Sequence, residues 1–128
     1  MLESRATLLI VDDESINIRL LREALKDSYR LLVATSGIKA LEQLEKHSDI
    51  KLVLLDVSMP NMSGLEVLEK IKQNEKWIDI PVIFITAMDQ EGDEAEGLSR
   101  GAVDYITKPI SVAIVKARIH SQLLILKA

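Results

Sequence analysis

The sequence predicts an α/β fold, a doubly wound parallel sheet of five strands with helices on both of its faces. Short apolar runs rich in Val, Ile and Leu alternate along the chain with longer segments in which apolar residues recur every three or four positions. Short runs bounded by polar residues are typical of buried strands, and the three-to-four spacing is typical of amphipathic helices. This alternation favours parallel strands joined by right-handed helical crossovers.

Five apolar runs are predicted as strands, and a helical segment follows each of them. The strands are Thr7–Val11, Leu31–Ala34, Leu52–Leu55, Val82–Ile85 and Val103–Ile106. The helical segments are Ile18–Leu25, Ile38–Leu44, Leu65–Ile71, Gln90–Arg100 and Ala113–Leu124. The segment Gln90–Arg100 has the weakest helical pattern, because Gly92 and Gly97 disfavour a helix interior.

Length and composition restrict the class of protein. A chain of 128 residues fits one domain, so we expect a single unit over 1–128 with its core at about residues 6–122. The absence of cysteine excludes disulfides, thiolate zinc sites and cysteine nucleophiles. Met1–Arg5 carries no secretory signal, and no apolar run approaches the ~20 residues that span a bilayer. We therefore expect a cytoplasmic protein with no membrane partner. A net charge of −4 with scattered basic residues argues against direct nucleic-acid binding.

Polar residues stand where the predicted strands end. Asp12 and Asp13 follow the first strand, and Asp56 follows the third. Thr86 ends the fourth strand, and Lys108 comes shortly after the fifth. The carboxyl ends of parallel strands share one edge of the sheet, where open α/β sheets bind their ligands. We therefore expect three carboxylates, a hydroxyl and an ammonium to converge in one crevice.

This set of side chains suits a divalent metal ion and phosphoryl transfer. Neighbouring carboxylates repel one another, and one lysine cannot balance three of them. Mg²⁺ takes one or two carboxylates, keeps several waters and binds phosphoryl oxygens. Asp56 would be the nucleophile that forms an aspartyl phosphate, while Lys108 and the metal would hold the phosphoryl oxygens. Thr86 would donate its hydroxyl to the new phosphoryl group.

Four motifs in the sequence resemble those of the receiver domains of two-component response regulators. They are Val11-Asp12-Asp13-Glu14, the segment from Leu55-Asp56 to Ser63-Gly64, Ile85-Thr86-Ala87, and the segment from Gly101-Ala102 to Lys108-Pro109. Each motif is weak alone, but together they occur in the right order and cover nearly the whole chain. The resemblance implies the flavodoxin-like (βα)5 fold with strand order 2-1-3-4-5, an order known for this doubly wound architecture.

The resemblance also implies which residues hold the metal and the phosphoryl group. Asp13, Asp56 and the backbone carbonyl of Ser58 would bind Mg²⁺ directly, and Asp12 would contribute through water. Asp56 would accept the phosphoryl group from a cognate histidine kinase or phosphotransfer protein. Lys108 would contact that group, aimed into the crevice by a cis peptide bond to the proline that follows it.

A switch is implied by the same resemblance. Thr86 and Tyr105 would relay the change at Asp56 to the face formed by the fourth helix, the fifth strand and the fifth helix. The final helix is apolar over Leu123–Leu126, and a helix end that is apolar all round usually packs against another structural element. We therefore expect an output domain after residue 128.

Other interpretations stay open at this point. Asp12 and Asp13 alone would be taken as helix N-caps, since Asp starts helices well. Phosphatases that pass through an aspartyl phosphate carry an Asp-x-Asp motif, in which the second Asp is the general acid. Here Ser58 stands two residues after Asp56, so that general acid is missing. The main alternative is a degenerate receiver that acts only as a protein-interaction module. On either receiver interpretation the chain is not an enzyme.

Overall fold

Five strands alternate with helices in the part of the chain that the structure, a computed structural model, describes, namely residues 5–87 and 97–127. The strands are β1 (Thr7–Val11), β2 (Arg30–Ala34), β3 (Ile50–Asp56), β4 (Val82–Ala87) and β5 (Asp104–Lys108). The helices are α1 (Ser15–Leu25), α2 (Gly37–Lys46), α3 (Gly64–Lys72) and the C-terminal helix (Val112–Lys127). Of the predicted segment Gln90–Arg100, residues 97–99 are helical and Arg100 lies in a turn, while residues 90–96 lie outside the described residues.

The five strands form one parallel sheet in the order β2-β1-β3-β4-β5. This confirms the predicted doubly wound fold and its strand order. The central strands β1 and β3 are buried along nearly their whole length, which explains their almost unbroken apolar sequences. Parallel strands need crossovers, and each crossover carries its helix to one face of the sheet.

The sheet separates two apolar clusters. Leu9 and Val11 of β1 face the cluster beneath α2 and α3. Leu8 and Ile10 of the same strand face the cluster beneath α1 and the C-terminal helix. This alternation follows from the two-residue repeat of a strand. Both faces are therefore covered, and the strand ends at the edge of the sheet are left to carry polar side chains.

The strands extend beyond the apolar runs that predict them. Asp56 is the last residue of β3, and Thr86 lies within β4. β5 begins at Asp104 and includes Lys108, so the predicted start at Val103 and the predicted end at Ile106 are both wrong. The physical reason is that backbone pairing does not depend on side-chain polarity at a strand end. Asp56, Thr86 and Lys108 are consequently held by the sheet itself, whereas Asp12 and Asp13 directly follow β1.

The C-terminal helix is longer than the predicted Ala113–Leu124. It packs on the sheet through Val115 and Ile119, while Leu124 and Ile125 are exposed near its end. Its first turn is capped by the Ser111 side chain, which accepts a hydrogen bond from the backbone of residue 114. Among the helices that the structure describes, none combines the length and apolar character needed to cross a bilayer.

Gly64 allows the first turn of α3 to approach the end of β3 closely. A Cβ at this position would lie 2.8 Å from the Cα of Val57 and closer still to the backbone carbonyl oxygen of Asp56. The Gly64 N–H donates to the carbonyl of Val57 at 2.8 Å, which fixes the approach. Gly37 begins α2 in the same way after a serine cap, but its hypothetical Cβ would meet the side chain of Met62.

We expect Gly64→Ala to destabilise the fold by about 2 kcal/mol or more, although alanine favours a helix by up to ~1 kcal/mol over glycine. The clash is with the main chain of a buried strand, which cannot yield. Gly37→Ala is the matched comparison: it also follows a serine N-cap, but its Cβ would meet the half-buried Met62 side chain rather than main chain, so we expect a smaller loss. Urea unfolding measures both. Equal losses in the two variants would contradict this explanation.

Candidate functional site

Three carboxylates meet at the carboxyl edge of the sheet. Asp12 and Asp13 directly follow β1, and Asp56 ends the neighbouring strand β3. One carboxylate oxygen of each lies within 4.8 Å of the others. Asp12 and Asp56 are almost fully buried, at 0% and 1% exposure, whereas Asp13 is exposed. Buried like charges at this separation are unfavourable unless something compensates them.

Local backbone contacts fix the position of Asp12. The N–H of Asp12 donates to the carbonyl of Ala34 in β2 at 3.1 Å, which holds the end of β1 against its neighbour. Asp12 Oδ1 accepts from the backbone N–H of Glu14 at 2.9 Å. The N-cap of α1 is Glu14, so the interpretation of Asp12 and Asp13 as N-caps is wrong. The other carboxylate oxygen of Asp12, Oδ2, is buried without a hydrogen-bond partner, and the same is true of Asp56 Oδ2.

Lys108 supplies the positive charge that faces this cluster. Its Nζ donates to Asp56 Oδ1 at 3.0 Å. β5 is separated from β3 by β4, a distance of roughly 10 Å at the usual strand spacing. Only a long side chain reaches across, which is why a lysine stem suits this place. Lys108 Nζ also lies 3.6 Å from Glu14 Oε1, so that the ammonium has one buried and one exposed anionic partner.

Burial dominates the electrostatics of the cluster. It raises the pKa of Asp56 to about 6; the charges of Asp12 and Asp13 act in the same direction, and Lys108 opposes them. Burial also raises the pKa of Asp12, against the opposing effects of the Glu14 backbone and Lys108. Burial alone would lower the pKa of Lys108, but the bond to Asp56 and the surrounding carboxylates raise it. One lysine therefore compensates the carboxylates only in part.

The donor set fits a hard divalent cation. It consists of carboxylate oxygens, and two of these oxygens are buried without any partner among the described residues. Unpartnered buried acceptors are unusual and call for a ligand. Mg²⁺ prefers such oxygen ligands. The structure therefore brings together Asp12, Asp13 and Asp56 as predicted, while the role of the Ser58 carbonyl stays a prediction.

Thr86 and Tyr105 occupy neighbouring strands behind the acidic cluster. Thr86 is buried, and its Oγ1 donates to the carbonyl of Ala87 at 3.4 Å. Tyr105 is half-buried and packs against the apolar cluster beneath α2 and α3. In the β4–β5 register, Tyr105 lies opposite Phe84. The predicted switch roles of Thr86 and Tyr105 stay predictions.

Glu14 and Asn17 belong to the site, although the sequence motif gave Glu14 no role. Glu14 Oε1 lies near Lys108 Nζ and accepts a hydrogen bond from Asn17 Nδ2 at 3.2 Å. One sequence signal could have indicated this. Glu is not among the preferred N-cap residues, yet it stands at the N-cap of α1.

The fold and the acidic edge define a family. The family model of the response regulator receiver domain matches residues 8–120. The chain therefore belongs to the response regulator receiver domain family, whose members act in two-component phosphoryl-transfer signalling. The Lys108–Pro109 peptide bond is cis, which confirms the isomer that the resemblance implies.

Individual relatives agree with this assignment. The chain is 47% identical over 120 residues to a protein of Vibrio cholerae named as a cyclic di-GMP phosphodiesterase, covering 94% of this chain and 27% of that protein. It is 38% identical over 107 residues to the polar-differentiation response regulator DivK of Brucella ovis, covering 83% and 86% of the two chains. A crystal structure of a response regulator from Chloroflexus aurantiacus superposes with a TM-score of 0.90 at 28% identity, covering 94% and 99%.

We expect Asp56→Asn to stabilise the metal-free protein more at neutral than at acidic pH. The pKa of Asp56 lies near 6 when folded and near 3.8 when unfolded, so the folded state binds more protons between these values. The contribution of Asp56 to stability is therefore largest below about pH 4, falls as the pH rises to about 6, and levels off above it. The asparagine variant lacks this loss, which is about 3 kcal/mol in full and about 2 kcal/mol between about pH 4.5 and about pH 7.5.

Urea unfolding of both proteins in a chelator, at about pH 4.5 and about pH 7.5, measures the difference. Comparing the two proteins at each pH removes the contribution of every other titrating group. A difference in unfolding free energy that does not change with pH would contradict the raised pKa.

Proposed function

We propose that Asp56 is the phosphoacceptor of this receiver domain. The observation that carries the proposal is the buried Asp56 carboxylate, bonded to Lys108 at 3.0 Å and placed beside Asp12 and Asp13. A nucleophile, a cationic partner and two further carboxylates thus converge at the carboxyl edge of the sheet. This is the combination that phosphoryl transfer to a carboxylate requires.

The chain's own residues have distinct parts in the reaction. Because the pKa of Asp56 is raised to about 6, its carboxylate is anionic at neutral pH and can attack phosphorus. In transfer from a phosphohistidine, the P–N bond breaks as the P–O bond forms, and the product is an acyl phosphate on Asp56. The donor would be a cognate histidine kinase or phosphotransfer protein. Lys108 Nζ, already at the carboxylate, is placed to hold a phosphoryl oxygen as charge develops on it.

Asp13, Asp56 and the Ser58 backbone carbonyl are the proposed direct ligands of Mg²⁺, and Asp12 is proposed to act through water. When bound, Mg²⁺ supplies the positive charge that offsets both the carboxylates and the phosphoryl oxygens. The exposed side chain of Asp13 leaves the site open to solvent on one side, as a site that exchanges its metal and admits a donor requires.

Thr86 and Tyr105 are the proposed switch residues. Thr86 lies on β4 and Tyr105 lies on β5. These paired strands are nearest to the face of the fourth helix, fifth strand and fifth helix that the family resemblance implies for the switch. Asp56 pairs with Ile85 across β3 and β4, and Thr86 is the next residue along β4. Thr86 is therefore near enough to respond to a change at Asp56. Its hydroxyl makes only a long bond at 3.4 Å, so little opposes its turning toward a phosphoryl group.

The chain spans about a quarter of the length of the Vibrio cholerae relative and most of the length of DivK. The phosphodiesterase activity is part of the name of the Vibrio cholerae protein and is not assigned to this chain. We propose that residues 1–128 form one receiver unit, which is not itself an enzyme, and that an output domain follows residue 128. The cytoplasmic location expected from the sequence, with no membrane or direct nucleic-acid partner, belongs to the same proposal.

Incubation with acetyl phosphate and Mg²⁺ should add the mass of one phosphoryl group to the wild-type protein. The Asp56→Asn variant should show no adduct, because the nucleophile is gone. Intact-mass spectrometry measures both. Steady release of inorganic phosphate without an adduct would instead favour an aspartyl-phosphate hydrolase. No reaction at all in a folded, metal-binding protein would favour the interaction module.

Mg²⁺ should raise the melting temperature of the wild-type protein, since a ligand that binds only the folded state stabilises it by mass action. Asp13→Asn should remove most of this response. Asp27→Asn is the matched control, because it removes an equally exposed carboxylate outside the site. Thermal unfolding at constant ionic strength, with and without Mg²⁺, separates the two. The metal site is wrong if wild type and Asp13→Asn respond alike.

A further inference from the structure

The N-cap of α1 differs from the other N-caps among the described helices. Ser36, Ser63 and Ser111 each use their side chain to accept a backbone N–H at the start of α2, α3 and the C-terminal helix. At α1 the N-cap is Glu14, and its side chain makes no capping bond. A Ser, Thr, Asp or Asn at such a position typically contributes ~1 kcal/mol to helix stability. The Glu14 carboxylate is thus directed elsewhere at some cost to the helix.

The Glu14 side chain points to Lys108. Its Oε1 lies 3.6 Å from Lys108 Nζ, and the same oxygen accepts a hydrogen bond from Asn17 Nδ2 at 3.2 Å. Asn17 stands one helical turn further along α1, on the same side as the N-cap. The Glu14 carboxylate is therefore held between an amide and an ammonium, while the Glu14 backbone N–H donates to Asp12 Oδ1.

Glu14 is not needed to hold the lysine in the unphosphorylated protein. The Lys108–Asp56 bond is shorter, at 3.0 Å, and its carboxylate is 1% exposed, whereas the Glu14 side chain is 58% exposed. An exposed ion pair at 3.6 Å contributes little stability. What Glu14 does contribute is a negative charge beside the ammonium, which it partly neutralises. That charge also lies close to any phosphoryl group bound to the same Nζ.

We propose that Glu14, held by Asn17, is a specificity-determining residue that weakens the reaction of Asp56 with small anionic phosphoryl donors. The inference rests on the proposed function of Asp56. A free donor such as acetyl phosphate approaches as an anion and depends on the local potential for its attraction. A protein donor brings binding energy from a whole interface and depends on that potential less. Glu14 thereby favours phosphorylation by the protein donor over phosphorylation by small metabolites of this class.

Glu14→Gln should speed phosphorylation by acetyl phosphate roughly three- to tenfold at low ionic strength, because one negative charge near a dianionic donor is removed. The gain should shrink as salt is added, since an exposed charge is screened. It should also be smaller with phosphoramidate, which carries less negative charge. Glu75→Gln is the matched control: it makes the same charge change in the loop before β4, at the opposite edge of the sheet.

Asn17→Ala provides the second test without changing any charge. Since the Asn17 amide also acts on the Asp12 carboxylate, the Mg²⁺ response of the melting temperature must be the same in this variant as in wild type. Releasing the Glu14 carboxylate into solvent should speed the reaction in the same direction, but less than Glu14→Gln does. The rate of adduct formation is followed by intact mass at saturating Mg²⁺, and urea unfolding checks that each variant is folded.

The outcomes separate this inference from the proposal on which it rests. An absence of adduct on wild-type Asp56 would overturn the proposed function. A normal wild-type adduct with an equal or slower Glu14→Gln rate would overturn the role of Glu14 alone. A gain that is unaffected by salt, or that Glu75→Gln reproduces, would also overturn it. An unchanged rate in Asn17→Ala would overturn the part assigned to Asn17.

Discussion

The repulsion among three carboxylates at one edge of the sheet is the constraint on which the rest of the site depends. Two of them, Asp12 and Asp56, are almost completely removed from solvent, and each leaves one oxygen without a partner. Such an arrangement costs stability unless positive charge is brought to it. Lys108 brings a single charge and does not balance the cluster. The folded domain therefore carries an excess of negative charge at this edge, which a bound divalent cation would offset before a phosphoryl group is held there.

The scaffold that holds these carboxylates together is rigid at the ends of β1 and β3. β1 and β3 are covered on both faces, so the ends that carry Asp12 and Asp56 cannot shift without moving the core. The first turn of α3 touches the main chain at Asp56, and only glycine fits there. Site geometry is thus a by-product of core packing, with the polar residues added at the last positions of buried strands.

Much of this could be predicted from the sequence. Alternating apolar runs and helical spacing indicated the fold class, and the parallel sheet then brought the residues after β1 and β3 to one edge. Strand limits at β5 could not be predicted, because apolar patterning does not register backbone pairing at polar residues such as Lys108. The unusual Glu14 N-cap could have drawn attention to that residue, but its partner Lys108 could not be predicted. Their contact depends on side-chain directions of two residues that the sequence separates widely.

The reach of Lys108 across β4 has a consequence for a chain that is still being made. Its partner Asp56 lies 52 residues earlier in the sequence, so this carboxylate leaves the ribosome well before the lysine does. Domains generally form as units during synthesis, and pairing between distant segments comes late. An incomplete chain therefore exposes acids at a half-built edge without their ammonium. The ion pair between Lys108 and Asp56 can form only when β5 has joined the sheet, so the acidic edge is completed last.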